Sequence, residues 1–215
     1  MQELLHIMRR LRAPDGCPWD REQSHESLRP YLLEEACEAI DAISIGRPQD
    51  IKDELGDVLL QIAFHAVIAE EAGDFDYEDI EGGIVDKLVR RHPHVFADTR
   101  VDSAEEVVVH WEAIKAQERA SSGAEGNAER SLAERIPASL PALARAYEYH
   151  KKAKLPPSSQ ADIHQAVDSG DVGAMLMAVV AFARGKKENP EIALREHLQG
   201  AMASHGEPQA LGTGA

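Results

Sequence analysis

The sequence predicts an all-α protein built as a bundle of antiparallel helices. Three observations lead there. Apolar side chains recur every three or four residues through most of the 215-residue chain, which lines them along one face of a helix. Hydrophobic residues make up 43% of the chain but aromatics only 5%, with alanine and leucine abundant, a mix that suits helices better than sheets. Boundary signals punctuate the periodic segments: Pro14-Asp15-Gly16, Gly46, Pro48, Pro93 and Asn189-Pro190.

The elements follow in order. A first helix is expected over 2–12, closed by Pro14-Asp15-Gly16, with a loop through Gly16-Cys17-Pro18-Trp19-Asp20 behind it. Ser27 is placed to cap a second helix running to about Ser44. Pro30 falls in its first turn, Gly46 ends it, and Leu32, Leu33, Ala36, Ile40 and Ile43 give it an apolar stripe. Pro48 opens a third helix to about Ala72, with apolar positions from Ile51 to Ala66. Asp76 caps a fourth, from Tyr77 to Arg91, which Pro93 stops. Ser103 with Glu106 reads as a capping box for a fifth, to about Arg119. No convincing strand interrupts this half.

These five helices form a predicted domain over 1–118, and a small, polar linker over 119–129 follows. A second helical domain is expected over 130–203: a helix in the run 139–155, a short one near 161–168, an apolar one from Val172, and a last one that Asn189-Pro190 starts. Residues 204–215 read as a disordered tail. The halves echo each other weakly. Gly56-Asp57-Val58-Leu59 and Gly173-Ala174-Met175-Leu176 both lead into apolar helices, as a degenerate duplication would.

The formal net charge of −15 excludes a broad nucleic-acid-binding role, because such a surface repels the phosphate backbone. It favours divalent cations wherever the acids cluster. Two cysteines without a CxxC motif read as reduced thiols of a cytoplasmic protein. No apolar run approaches a membrane span, and the first helix lacks the pattern of a signal peptide, so no membrane partner is expected.

One constellation carries chemistry. Glu34, Glu35 and Glu38 are spaced to share one face of the second helix, and Glu54 and Asp57 do the same on the third. A short loop makes the two helices antiparallel neighbours, so five carboxylates can meet across one seam. That concentration of charge is costly unless a cation is present, and hard oxygen ligands select magnesium, manganese or calcium. Gly56 between the acids suggests close approach of a neighbouring element. Pattern alone leaves two readings standing, a metal site and a solvated acidic face. Glu-x-x-His occurs only at Glu3–His6 and Glu22–His25, outside the acid clusters, which argues against a ferritin-like di-iron bundle. His92 and His94 around Pro93 read as a structural turn.

EEACE at 34–38 followed by ELGD at 54–57 resembles the signature of all-α nucleoside triphosphate pyrophosphohydrolases. The flanking GCPWD at 16–20, FHAVIAEEAGDFDYEDI at 64–80, KLVRRHPHVFAD at 87–98 and HWEAIKAQE at 110–118 narrow the resemblance to the MazG family, over essentially all of residues 1–118. The resemblance implies a fold of the all-α NTP pyrophosphatase type and hydrolysis of nucleoside triphosphates to monophosphate and pyrophosphate, in nucleotide-pool house-cleaning. It implies magnesium as cofactor, for which manganese can substitute, held by Glu35, Glu38, Glu54 and Asp57. Glu34 then orients or deprotonates the attacking water. Lys87, Arg91, Trp111 and Lys115 match nucleotide contacts, and Tyr31, Lys52 and Asp53 flank the acids and are expected to touch substrate. Trp111 either stacks a base or is an ordinary core aromatic. A homodimer or higher oligomer is expected, from apolar stripes on short helix pairs and from the resemblance.

The second half resembles the repeated module of two-domain MazG proteins but lacks its acids. Ser158, Ser159 and Asp162 stand where EExxE belongs; Asp171 falls near the ExxD glutamate, and Ala174 replaces its aspartate. A catalytically dead copy is expected. Two other functions fit parts of the pattern: a nucleotide sensor without turnover, and an inert structural bundle.

Overall fold

A computed structural model describes residues 1–121 and 131–205. All regular structure among the described residues is helical, and the chain divides into two compact units, Met1–Glu118 and Arg119–Ala215.

The first unit contains α1 (Gln2–Arg12), α2 (Pro18–Glu22), α3 (Arg29–Ile45), α4 (Pro48–Ala72), α5 (Tyr77–Arg91), α6 (Pro93–Phe96) and α7 (Ala104–Ser121). The segment expected as a loop after α1 holds the short α2, with Pro18 supplying a preset φ at its start. Ser27 does not cap α3. Its hydroxyl instead donates to Gln23 Oε1 and the Ser24 carbonyl, and the cap position falls to Leu28, which has no side-chain bond to give. Gly46, at φ 79°, closes α3 in the left-handed conformation that only glycine adopts cheaply, so α4 can start two residues later and fold back along α3. Asp76 caps α5 as expected and forms a full box with Asp79. The Ser103 hydroxyl accepts from the Glu106 N–H, while Glu106 reaches back to the Asp102 N–H rather than to Ser103. Helix α7 runs to Ser121, so the first residues assigned to the linker are helical; residues 122–129 of that linker, with Arg130, lie outside the described residues.

The core of this unit joins α1, the entry to α3 and the second half of α4, through Leu5, Met8, Leu28, Ala63, Phe64, Ala66 and Val67. Arg12, only 6% exposed, ties the same elements by polar bonds. It donates to the carbonyls of Asp20 and Gln23 and pairs with Glu71 at 2.7 Å. The stripe predicted for α3 is not part of this core. Leu33 and Ile43 are more than half exposed, and only Ala39 and Ala42 of α3 are buried. Leu55 and Leu59, on the half of α4 that carries the acids, are exposed as well. On α4, full burial therefore starts only beyond the acids, at Gln61.

The second unit contains α8 (Ala142–Lys152), α9 (Gln160–Asp168), α10 (Val172–Gly185) and α11 (Pro190–His205). Ser159 caps α9 in a box with Asp162, Asp171 caps α10, and Asn189 Oδ1 accepts from the first N–H groups of α11. Ser204 and His205, assigned to the tail, continue α11, and residues 206–215 lie outside the described residues.

Candidate active site

Helices α3 and α4 bring carboxylates together. One oxygen from each of Glu35, Glu38 and Glu54 lies within 4.8 Å of the others, a group compact enough to hold a metal ion. Glu35 and Glu38 are one helical turn apart on α3, and Glu54 faces them from α4. Partial burial, then the charges of Asp57, Glu38, Glu34 and Glu54, push the Glu35 carboxyl above its ordinary range. Partial burial followed by Glu38, Asp57, Asp53 and Asp50 does the same to Glu54. Asp57 and Glu34 stand outside the tightest group but close enough for their charge to be felt. None of the five acids forms an ion pair among the described residues. Oxygen ligands, uncompensated charge and raised carboxyl pKa values are what a hard divalent cation would relieve, so the residues fit the expected magnesium.

Gly56 has a different surrounding from the one its position suggests. A methyl group there would meet nothing within 4 Å, so no element of this unit approaches it. Lys52 and Asp53 lie beside each other on the exposed side of α4, 3.5 Å apart, and Gln49 also holds Asp53. Tyr31 is set by its neighbour Trp19 of α2, whose ring packs edge-on to it at 5.8 Å and also against Phe64 of the core. Trp19 is thus the link between the GCPWD segment and the acid-bearing helix.

The cationic candidates gather on α5 and α7. Trp111 lies at the surface of α7 with Lys115 Nζ 4.6 Å from its ring centre and Arg91 Cζ at 5.9 Å. Lys115 is also held by Glu112 at 2.9 Å. Trp111 is therefore not an ordinary core aromatic in this unit. Lys87, one turn before Arg91 on α5, is exposed and forms no ion pair among the described residues. No hydrogen bond or ion pair connects this cluster with the acids of α3 and α4 among the described residues. Two residues absent from the sequence-based site belong to the cationic cluster: Arg90, and Glu118, whose carboxylate binds Arg90 at 2.6 Å and Arg91 at 2.7 Å. Their only sequence signal was the charge of KLVRR and the terminal glutamate of WEAIKAQE.

A family model described as the MazG nucleotide pyrophosphohydrolase domain matches residues 23–96. The chain is similar to the nucleoside triphosphate pyrophosphohydrolase of Escherichia coli strain K12, 41% identical over 220 residues that span 91% of this chain and 82% of that protein. It is similar to the nucleoside triphosphate pyrophosphohydrolase/pyrophosphatase MazG of Thermotoga maritima, 39% identical over 91% of this chain and 80% of that one. Among solved structures, a mazG-related protein from Thermotoga maritima aligns with 28% identity and a TM-score of 0.46, over 54% of this chain and 99% of that chain.

Proposed function

We propose, from the premise that the chain belongs to the MazG family of nucleotide pyrophosphohydrolases, that its first unit hydrolyses nucleoside triphosphates to monophosphate and pyrophosphate with magnesium. The observation that carries the site is the grouping of Glu35, Glu38 and Glu54 oxygens within 4.8 Å of one another, with no ion pair to any of the three among the described residues.

Glu35, Glu38 and Glu54, with Asp57 next to them, would hold the metal. Magnesium, or manganese in its place, supplies neutralisation of phosphate charge and acidifies water. The remaining work belongs to the side chains. Glu34, exposed beside Glu35, orients the attacking water and takes its proton. Lys87 and Arg91 neutralise phosphate oxygens, Arg91 with the planar fork that suits them. Trp111 offers its ring to the base while Lys115, lying over it, adds charge for the phosphates. Tyr31, Lys52 and Asp53 line the approach to the acids. The leaving pyrophosphate gains charge as the bond to the nucleotide breaks, and cations fixed beforehand stabilise that change most.

Purified protein with magnesium should convert at least one common ribo- or deoxyribonucleoside triphosphate to monophosphate and pyrophosphate, and the Glu54→Gln variant should not. Diphosphate and phosphate as products, or undiminished turnover in the variant, would refute the reading. Nucleotide binding without product would favour a sensor.

The exposed apolar side chains around the acids argue for a homodimer or higher oligomer. Leu33, Ile43, Leu55 and Leu59 all lie on the site-bearing helices, where a second copy would remove them from water. Light scattering should then give at least twice the chain mass, and Leu33→Glu with Leu59→Glu should reduce it to one chain. No described helix is long and apolar enough to cross a membrane. The reading of a house-cleaning role in the cytoplasm rests on the family resemblance.

The second unit is a copy without catalysis. Ser159 and Asp162, at the place of the EExxE acids, are engaged with each other at the start of α9. Asp171 is spent on the Ala174 N–H at the start of α10.

A further inference from the structure

We propose that Glu118 is a positioning residue for substrate binding: it grips the side edge of the Arg91 guanidinium and thereby aims the end edge at a phosphate of the triphosphate. The proposal rests on the reading of Arg91 as a nucleotide contact. Glu118 sits near the end of α7 and Arg91 is the last residue of α5, 27 positions earlier, so the contact ties together two helices that are separated in the chain by α6 and the segment 97–103.

The geometry of the contact is specific. Arg91 donates to Glu118 Oε2 from Nε at 3.1 Å and from Nη2 at 2.7 Å. Arg90 donates from its own Nε to the other oxygen, Oε1, at 2.6 Å. A guanidinium has five N–H donors in one plane. Glu118 uses Nε–H and one hydrogen of Nη2, and Nη1 donates to nothing among the described residues. The remaining edge, between Nη1 and the outer hydrogen of Nη2, has the spacing of two oxygens on one phosphate. Without the carboxylate the arginine would swing about four side-chain torsions. With it, the plane is set before substrate arrives, and less freedom is lost on binding.

Charge agrees with this role. The carboxylate between two guanidiniums leaves one net positive charge, so the trio attracts an anion without two bare arginines repelling each other. Hydrogen bonds from Arg91 and then Arg90 hold the Glu118 carboxyl down to about 2. The brace therefore stays ionised over the whole range in which nucleotides are handled. Glu118 and Arg91 are each 20% exposed, which limits the competition from water. Arg91 Cζ also lies 5.9 Å from the Trp111 ring centre, so the same brace fixes the arginine relative to the candidate base platform.

The test is a double-mutant cycle in the full chain, with steady-state nucleoside triphosphate hydrolysis as readout. Glu118→Gln should raise KM about tenfold and leave kcat within about threefold, because it removes pre-organised binding rather than chemistry. Arg91→Ala should raise KM further, and Glu118→Gln added to it should change nothing more, since the brace would have nothing to aim. Glu118→Asp keeps the charge but withdraws it by one methylene, and should shift KM in the same direction with less effect on melting temperature. An unchanged KM in both Glu118 variants, a full additive effect in the Arg91→Ala background, or a fall in kcat at constant KM overturns the proposal. Should Arg91→Ala itself leave KM at the wild-type value, the assignment of Arg91 as a nucleotide contact fails, and the role of Glu118 fails with it.

Discussion

At the scale of single residues the site is a balance of charges that the protein does not close by itself. Glu35 and Glu54 both have carboxyl pKa values raised by partial burial first and by neighbouring carboxylates after it. A raised folded-state value means that these groups favour folding below their ordinary pKa of 4.5, and that this contribution is lost as pH rises through the folded value. At neutral pH the metal-free protein therefore carries repulsion that magnesium should remove. Glu54→Gln deletes one of the repelled charges. Without metal the variant should melt above the wild type at pH 7, and magnesium should raise the melting temperature of the wild type but barely that of the variant, which should also lose about 100-fold or more in turnover. A wild type whose melting temperature ignores magnesium would remove the metal from the site. Histidines give the opposite sign elsewhere in the same unit. His25 and His65 stack with their Nδ1 atoms 2.7 Å apart, a contact that needs one of those nitrogens without a proton. Burial, then the charge of His25, lowers the His65 pKa below its ordinary 6.5. Its contribution is present above that value and lost as pH falls through the folded one. Thermal melts between pH 7.5 and about 5 should show this acid-side loss, and His65→Leu should flatten it.

At the scale of elements, glycine shows how differently one residue type can act. Gly16 lies where a methyl group would overlap the Leu11 carbonyl, the same carbonyl that accepts the Cys17 N–H at 2.7 Å. Gly56 lies within α4 with open space around it. Gly16→Ala should therefore cost about 1–3 kcal/mol, because backbone must move to relieve the overlap. Gly56→Ala should stabilise by up to about 1 kcal/mol through helix propensity alone. Urea midpoints measure both, and a destabilised Gly56→Ala protein would mean that a second copy or a ligand occupies that space. The same contrast explains what was legible in the sequence. Helix α4 could be read from Pro48 to Ala72 because its start and stop signals are local, and α5 because Asp76 bonds a group three residues away. The proximity of Glu35, Glu38 and Glu54 follows from one helical turn and one short connection, both local too. Ser27 misled because its hydroxyl had closer partners at Gln23 and Ser24. The stripe of α3 was legible as residues that share a face, but periodicity does not tell what covers that face, and within this unit Leu32, Leu33 and Ile43 are exposed. Glu118 was not legible as a partner of Arg91, since no sequence rule pairs residues 27 apart across two helices.

At the scale of the molecule the two units divide their acids between different tasks. In the first, one oxygen from each of Glu35, Glu38 and Glu54 lies within 4.8 Å of the others, and none of the three forms an ion pair among the described residues. In the second, Asp162 and Asp171 serve the N-termini of α9 and α10. Asp162 accepts from the Ser159 N–H at 2.6 Å and its hydroxyl at 2.7 Å, and Asp171 accepts from the Ala174 N–H at 3.0 Å. The Ser159 backbone N–H and hydroxyl, the largest influences on Asp162, lower its pKa, the opposite of what crowding does to Glu35 and Glu54. An acid satisfied by helix N–H groups has less to gain from a cation than one surrounded by other acids. The double variant Asp162→Ala with Asp171→Ala should accordingly cost about 1 kcal/mol per lost cap in the second unit, read as an earlier thermal transition. Its magnesium-dependent turnover, assayed well below that transition, should stay within about twofold of the wild type. Turnover that falls tenfold or more while the first unit still melts at its usual temperature would show that the second unit takes part in the reaction. Unchanged turnover, set beside the loss in Glu54→Gln, would place the chemistry in the first unit and leave the second to act through packing or assembly.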